Sequence, residues 1–252
     1  MQNIHLFNLT LFEIGFYFLY WSAFGWILEV IVRTLETGEF ENRGFLNSPI
    51  CPIYGFGVLI VYTTLSSIKS IFILFVLSVL LCSIIELFVG LGLQRMFHAK
   101  WWDYSHEKFN YKGYICLKIS LLWGVGCLLV VRTVHPAIIK LVTHIPYIVG
   151  NIILLIVSIM LIIDTVCSVA EILNFNNKLR QIDKFYKKLN SSSIKIGGNI
   201  SGEVQEIKQK YDKLLEQAKK NRFVKSFPNM KSIKYNDALK LIKKKINKKN
   251  NN

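Results

Sequence analysis

Arg33 is the first basic residue, so the chain runs from residue 1 to 32 without one Lys or Arg. That absence argues against a cleaved secretory leader, in which a positively charged stretch precedes the apolar one. The apolar run ending at Val32 is therefore expected to stay in the mature protein. Charge is sparse throughout: 19% of residues are charged against 52% hydrophobic, outside the usage of ordinary soluble domains. Cysteine offers no other scaffold. The five cysteines are odd in number, form no CxxC, and fall in or beside apolar runs, which indicates neither a disulfide frame nor a zinc site. No GxxxxGK(S/T) loop occurs, so the chain carries no nucleotide-hydrolysing motif of its own. No Ser–His, Cys–His or metal-spaced set stands out either, and no catalytic residue, cofactor or metal is expected.

Long apolar runs are what the chain has in quantity. A helix needs about 20 residues to cross roughly 30 Å of hydrocarbon. Five runs approach or exceed that length, near 9–32, 49–67, 71–93, 114–134 and 147–175. They predict an all-α polytopic membrane protein with a transmembrane domain over 1–175. The segment HPAIIKLVTHIP at 135–146 is too short to cross and is expected as an outer loop or a surface turn of helix. The net charge of +15 resides entirely in the C-terminal tail, because residues 176–252 hold 21 Lys and Arg against 6 Asp and Glu. A basic segment beside a span resists translocation. The tail is thus expected in the cytoplasm, and five crossings then put the N-terminus outside, in a cell-membrane protein. Trp101, Trp102 and Tyr104 suit the membrane interface on the inner side.

Residues 43–61 (RGFLNSPICPIYGFGVLIV) align without a gap to 112–130 (KGYICLKISLLWGVGCLLV), with six identities in 19 positions. Among them are Gly44/Gly113, Gly55/Gly124 and Gly57/Gly126, while Tyr54 meets Trp123. Upstream, Glu29 in ILEVIV corresponds to Glu86 in IIELFV. Shared apolar composition is the competing explanation; matched glycines and an acid at the same station argue for a repeat. Repeat 1 covers about 9–67 and repeat 2 about 71–134, with 147–175 as a fifth helix. Both units would run inward, loop, and return, which makes them parallel repeats about an axis along the membrane normal, with sites at their interface.

Glu29, Glu86, Lys118, Asp164 and Glu171 fall inside apolar runs, where an ionised group costs about 2.5–3.5 kcal/mol at mid-depth. They are expected to face protein or a wet cavity. Asp164, Ser168 and Glu171 share one helical face. With Asn47, Tyr54, Gly55, Gly57, Trp123, Gly124 and Gly126, these residues are candidates to line a cytoplasm-facing cavity for a small polar or cationic solute. Structural alternatives stand beside this: Glu29 paired with Arg33 one turn on, Glu86 paired with Lys118, and the glycines as packing residues. NSPICP at 47–52 holds two prolines and reads as an interfacial loop or as a broken, re-entrant start of the second run.

In the tail, Leu179, Ile182, Tyr186 and Leu189 continue the spacing begun by Ile172 and Phe175, which predicts that the last span runs on as one helix. After a linker at 190–202, Val204, Ile207, Tyr211, Leu214 and Ala218 repeat the pattern. The lysine-rich face suits anionic lipid. No recognised motif supports nucleic acid as a partner.

GWILE, NRGFLNSPICPIYGFG, WWDYS and FNYKGYICLKISLLWG together resemble the type IV ABC-transporter permease family of CmpB-like bacterial multi-pass membrane proteins. The likeness covers roughly residues 10–175, with a looser one in FPNMKSIKYNDALKLIKKKI. It implies a permease whose ATPase is a separate subunit, and five spans imply a possible homodimer. The alternative is a non-transporting membrane scaffold or sensor that recruits partners through its basic tail.

Overall fold

A computed structural model describes residues 5–6, 9–38, 40–195 and 202–250. The chain divides into two compact units. Helix dominates both. Four helical stretches are long and apolar enough to cross a bilayer among the described residues: Leu11–Thr37, Ile71–Phe97, Leu117–Thr143 and Tyr147–Asn190.

The first unit comprises residues up to Leu91 together with Tyr104–Ser168. Two short strands, β1 (His5–Leu6) and β2 (Leu9–Thr10), pair antiparallel ahead of α1 (Leu11–Thr37). Thr10 and Glu13 open α1 with a reciprocal capping box: the Thr10 hydroxyl accepts from the Glu13 amide at 3.2 Å, and the Glu13 carboxylate accepts from the Thr10 amide at 2.8 Å. Gly38, in the left-handed region at φ 75°, ends it.

The chain then doubles back. Residues 40–51 run beside α1 without regular structure, tied down where Trp26 Nε1 donates to Asn42 Oδ1 at 2.7 Å and the Cys51 amide donates to the Ser22 carbonyl at 2.9 Å. Helix α2 (Pro52–Leu65) comes next, with Pro52 at its first turn, where no partner for an amide is needed. At 14 residues it measures about 21 Å, short of the roughly 30 Å hydrocarbon. The run at 49–67 is therefore not one full-length helix, because Pro49 and Pro52 keep its first residues out of the helical ladder.

Glycines let the neighbouring helices close up. A Cβ on Gly55 would lie under 3 Å from Ser22 and Phe18 of α1, and one on Gly25 would lie 2.2–2.5 Å from the Tyr54 side chain. Helix α3 (Ile71–Phe97) meets α4 (Leu117–Leu129) in the same manner, with Gly124 against Phe75 and Val79. Ser83 and Ser120 hydrogen-bond across that contact at 2.7 Å, and the Cys82 and Cys127 sulfurs lie 3.4 Å apart.

The segment after α4, expected as an outer loop or a surface turn of helix, is helical and continues α4. Val130–Val134 forms one wide π-type turn and passes directly into α5 (His135–Thr143), so 117–143 is a continuous helical stretch. Pro136 cannot donate an amide hydrogen, and the wide turn just before it absorbs that loss without breaking the helix. A core of Phe12, Tyr17, Trp21, Leu59, Ile138, Val142 and Leu154 joins α1, α2, α5 and the start of α6 (Tyr147–Lys195).

The second unit comprises Gly92–Asp103 and residues from Val169 onward. Strand β3 (Ala99–Lys100) is followed by β4 (Asn110–Tyr111) and β5 (Ile115–Cys116), the latter two forming a hairpin that belongs to the first unit. Helices α7 (Gly202–Lys219) and α8 (Arg222–Ser226), strand β6 (Lys231–Ser232) and α9 (Asn236–Asn250) complete the second unit, with β6 pairing antiparallel to β3. The last span does run on as one helix, to Lys195; of the expected linker, 196–201 lie outside the described residues. Leu179, Ile182, Ile207 and Ala218 are buried as their spacing predicts, while Leu215 takes the buried place and Leu214 is half-buried. Trp101 is not an interfacial ring but a core one, set edge-on to Phe223 and Phe227 at 5.4 and 4.8 Å. Lys243 donates to the Pro228 and Met230 carbonyls, and burial, then the Lys231 charge, holds its pKa down to about 8.

The glycine contacts are testable by adding one methyl group. Gly55→Ala and Gly124→Ala should each lower the detergent-solubilised protein's stability by about 1–3 kcal/mol, the usual cost of overpacking. Gly57→Ala and Gly126→Ala, whose Cβ positions have no atom within 4 Å, should be neutral or slightly stabilising. Thermal unfolding of the four variants checks the contrast; equal losses would mean that close approach is not what these glycines supply.

Candidate functional site

Residues 40–51 bring long-range partners to acids for which helix spacing offers only neighbours. Arg33 turns to Glu41 at 2.9 Å and Glu36 at 3.5 Å, not to Glu29. Glu29 instead faces Arg43 at 3.2 Å and accepts a hydrogen bond from the Tyr54 hydroxyl at 2.8 Å. The expected pairing of Glu29 with Arg33 is therefore replaced, because the returning loop offers a better-placed guanidinium than the one a turn along α1.

Tyr54 links this carboxylate to the next pair of helices. Its ring sits edge-on to Trp123, centroids 5.4 Å apart. On α3, Glu86 is 8% exposed, and its Oε1 accepts from the Tyr104 hydroxyl at 3.1 Å. The other oxygen, Oε2, is buried and has no hydrogen-bond partner. Burial first, then the charge of Glu86 and its hydrogen bond, and at smaller weight Cys116 and Glu29, push the Tyr104 phenol up, so it remains a neutral donor at physiological pH. Glu86 thus bonds the Tyr104 hydroxyl directly, and Glu29 acts on it only from a distance.

Asp164 has a different task. Its Oδ1 accepts from the Asn47 amide at 3.0 Å and the Asn47 side chain at 2.9 Å; its Oδ2 accepts from the Ser48 amide at 2.8 Å. Ser168, one turn on, accepts from the Asn47 side chain at 3.1 Å. Two backbone donors of an irregular loop are thereby satisfied by one carboxylate, which is what such backbone requires beside apolar helices. Asn47 reaches α6 in this way.

The remaining candidates lie elsewhere. Lys118 is exposed and pairs with Glu107 at 3.3 Å, not with Glu86. Glu171 belongs to the second unit, where it accepts from Arg222 Nε at 2.9 Å and Asn221 Nδ2 at 3.1 Å and so anchors the start of α8. Gly57 and Gly126 face open space, and Gly55 and Gly124 are packing positions.

His135 lies in neither of the surface settings expected for 135–146, a loop or a surface turn of helix. It is fully buried, with Nδ1 accepting from Trp21 Nε1 at 3.0 Å and with the Tyr62 and Tyr17 rings 3.9 and 4.7 Å away. The signal available in advance was the aromatic spacing of Tyr17 and Trp21 on one face of α1.

Four apolar helices of crossing length define a multi-pass helical membrane protein. The model of the family described as "Putative ABC-transporter type IV" matches residues 16–169, more than half of the chain, and the chain belongs to that family. Neither the curated proteins nor the solved structures contain a match to it.

The Asp164 latch generates a labelling test. Asp164→Ala removes the acceptor for two loop amides and one side-chain amide, each charge-assisted bond being worth about 1.5–3 kcal/mol. Cys51, buried at the end of that loop, should then react with a membrane-permeant maleimide at least several-fold faster. An unchanged labelling rate would show that the loop is held without Asp164.

Proposed function

We propose that this chain is the membrane-embedded permease subunit of an ABC-type transporter, energised by a separate ATPase and handling a small polar or cationic solute from the cytoplasmic side. One observation carries the reading: two buried or half-buried acids on different helices, Glu29 and Glu86, are each held by a tyrosine hydroxyl, Tyr54 and Tyr104 respectively. Polar groups of this kind inside apolar helices mark a path for ions or polar solutes more often than a structural need. Glu29, Tyr54, Trp123, Tyr104 and Glu86 are the working residues, whereas Asp164 and Glu171 hold the loop and the tail.

Matched contacts support the internal repeat. Gly55 meets residues 18 and 22, and Gly124 meets 75 and 79, the same stations in each unit; Gly57 and Gly126 both face open space. Tyr54 and Trp123, themselves equivalent, touch, as residues beside a pseudo-twofold axis do. Counting residues 40–51 with α2 as one crossing completes five spans, with irregular backbone tolerated because protein covers it. That count keeps the N-terminus outside and the basic tail in the cytoplasm, near anionic lipid. A homodimer would enlarge the pathway.

The scaffold reading has one observation in its favour, the folding of Gly92–Asp103 with the tail into a unit of its own. Purification in native lipid separates the two. A transporter should bring down a nucleotide-binding subunit, and the ATPase rate of the complex in nanodiscs should fall at least tenfold in Glu29→Gln and Glu86→Gln while Lys118→Gln retains it. Recovery of the chain without any ATPase, or rates unmoved by both acid substitutions, would overturn the permease reading.

A further inference from the structure

We propose that Glu86 is a proton-binding site, its Oε2 taking up and releasing a proton while the Tyr104 hydroxyl stays bonded to Oε1. The inference needs no transported solute and stands apart from the permease reading. It begins from a difference between equivalent acids. Glu29 has both a tyrosine donor and the Arg43 guanidinium at 3.2 Å, so its charge is balanced within the protein. Glu86 has a tyrosine donor at 3.1 Å, and no Lys, Arg or His lies within 4 Å of it among the described residues. Its second oxygen is buried with no partner.

A buried carboxylate with one unmatched oxygen and no counter-charge is stabilised by whatever brings positive charge to that oxygen. A divalent metal ion is the poorer match, because calcium and magnesium take six or more oxygen ligands, and no group of three His, Cys, Asp or Glu side chains gathers among the described residues. A proton needs a single oxygen. The step is simple in its balance: a hydronium ion gives a proton to Oε2, one O–H bond forms, water is left behind, and the carboxylate becomes neutral. Release reverses it.

The surrounding titratable groups are consistent with that role. On α3 itself, Cys82 lies one turn before Glu86 and is engaged with Cys127 of α4. The loop between α3 and α4 contributes Tyr104, with Cys116 close enough to act on the phenol, and α1 contributes Glu29 at longer range. Lys118 at the start of α4 is turned away to Glu107. None of these supplies a fixed positive charge to Glu86, whereas Glu29 has the Arg43 guanidinium beside it.

Infrared difference spectroscopy of the full-length protein in phosphatidylcholine nanodiscs, between mildly alkaline and mildly acidic buffer, reads the site directly. A protonated-carboxyl C=O band should appear that Glu86→Gln removes and Glu29→Gln leaves in place. Tyr104→Phe should shift that band in frequency, since the carboxyl loses its hydrogen-bond donor, and this variant keeps the test open if Glu86→Gln fails to fold. Spectra in sodium chloride and in choline chloride should coincide. A band that survives intact in Glu86→Gln, one unmoved by Tyr104→Phe, or one abolished by sodium would overturn the proposal.

Discussion

Every ionisable group in an apolar span has to be met by protein, because acyl chains offer neither a hydrogen bond nor a counter-charge. That requirement organises the molecule. Glu29 is met by Tyr54 and Arg43, Asp164 by the Asn47 and Ser48 donors, and Glu171 by Asn221 and Arg222. Each partner comes from a segment distant in sequence, so each acid also fixes a long-range contact. Glu86 alone of these four keeps a buried oxygen unmatched.

Close packing makes those meetings possible. Gly25 and Gly55 let α2 and its leading loop lie against α1, which brings the Tyr54 hydroxyl to Glu29 and the Cys51 amide to the Ser22 carbonyl. Small residues have the same use wherever helices associate in lipid, where the driving force is van der Waals contact and not exclusion of water. The prolines of residues 47–52 keep the loop out of helix, and Asp164 then absorbs the backbone donors that a helix would have used internally. Helix breaking and carboxylate are complementary halves of one device.

Much of this was legible in the residues themselves. Gly55 and Gly124 stood out as cavity-lining candidates or packing residues, and each lies close against a neighbouring helix. The 3-4 spacing of Ile172, Phe175, Leu179 and Ile182 predicted one helix running past the apolar run, and all four are buried on it. Trp101 misled because an indole suits an interface and a core equally well; only the partners Phe223 and Phe227, more than a hundred residues on, choose between them. His135 misled for the same reason, since its Trp21 and Tyr62 neighbours come from two other helices.

Composition and periodicity by themselves determined the membrane class, the apolar helices other than the second run, the basic charge of the tail and the set of acids needing partners, because these depend on length, hydropathy and spacing along one chain. The tertiary structure alone decided which partner each acid received, that Asp164 latches a loop, that Glu171 holds the tail, and that Glu86 has no arginine of its own. Helix periodicity ranks neighbours one turn apart, whereas a loop that doubles back can deliver Arg43 to Glu29 across fourteen positions. Such choices depend on approach distances set by glycine and proline in three dimensions, which no local pattern contains.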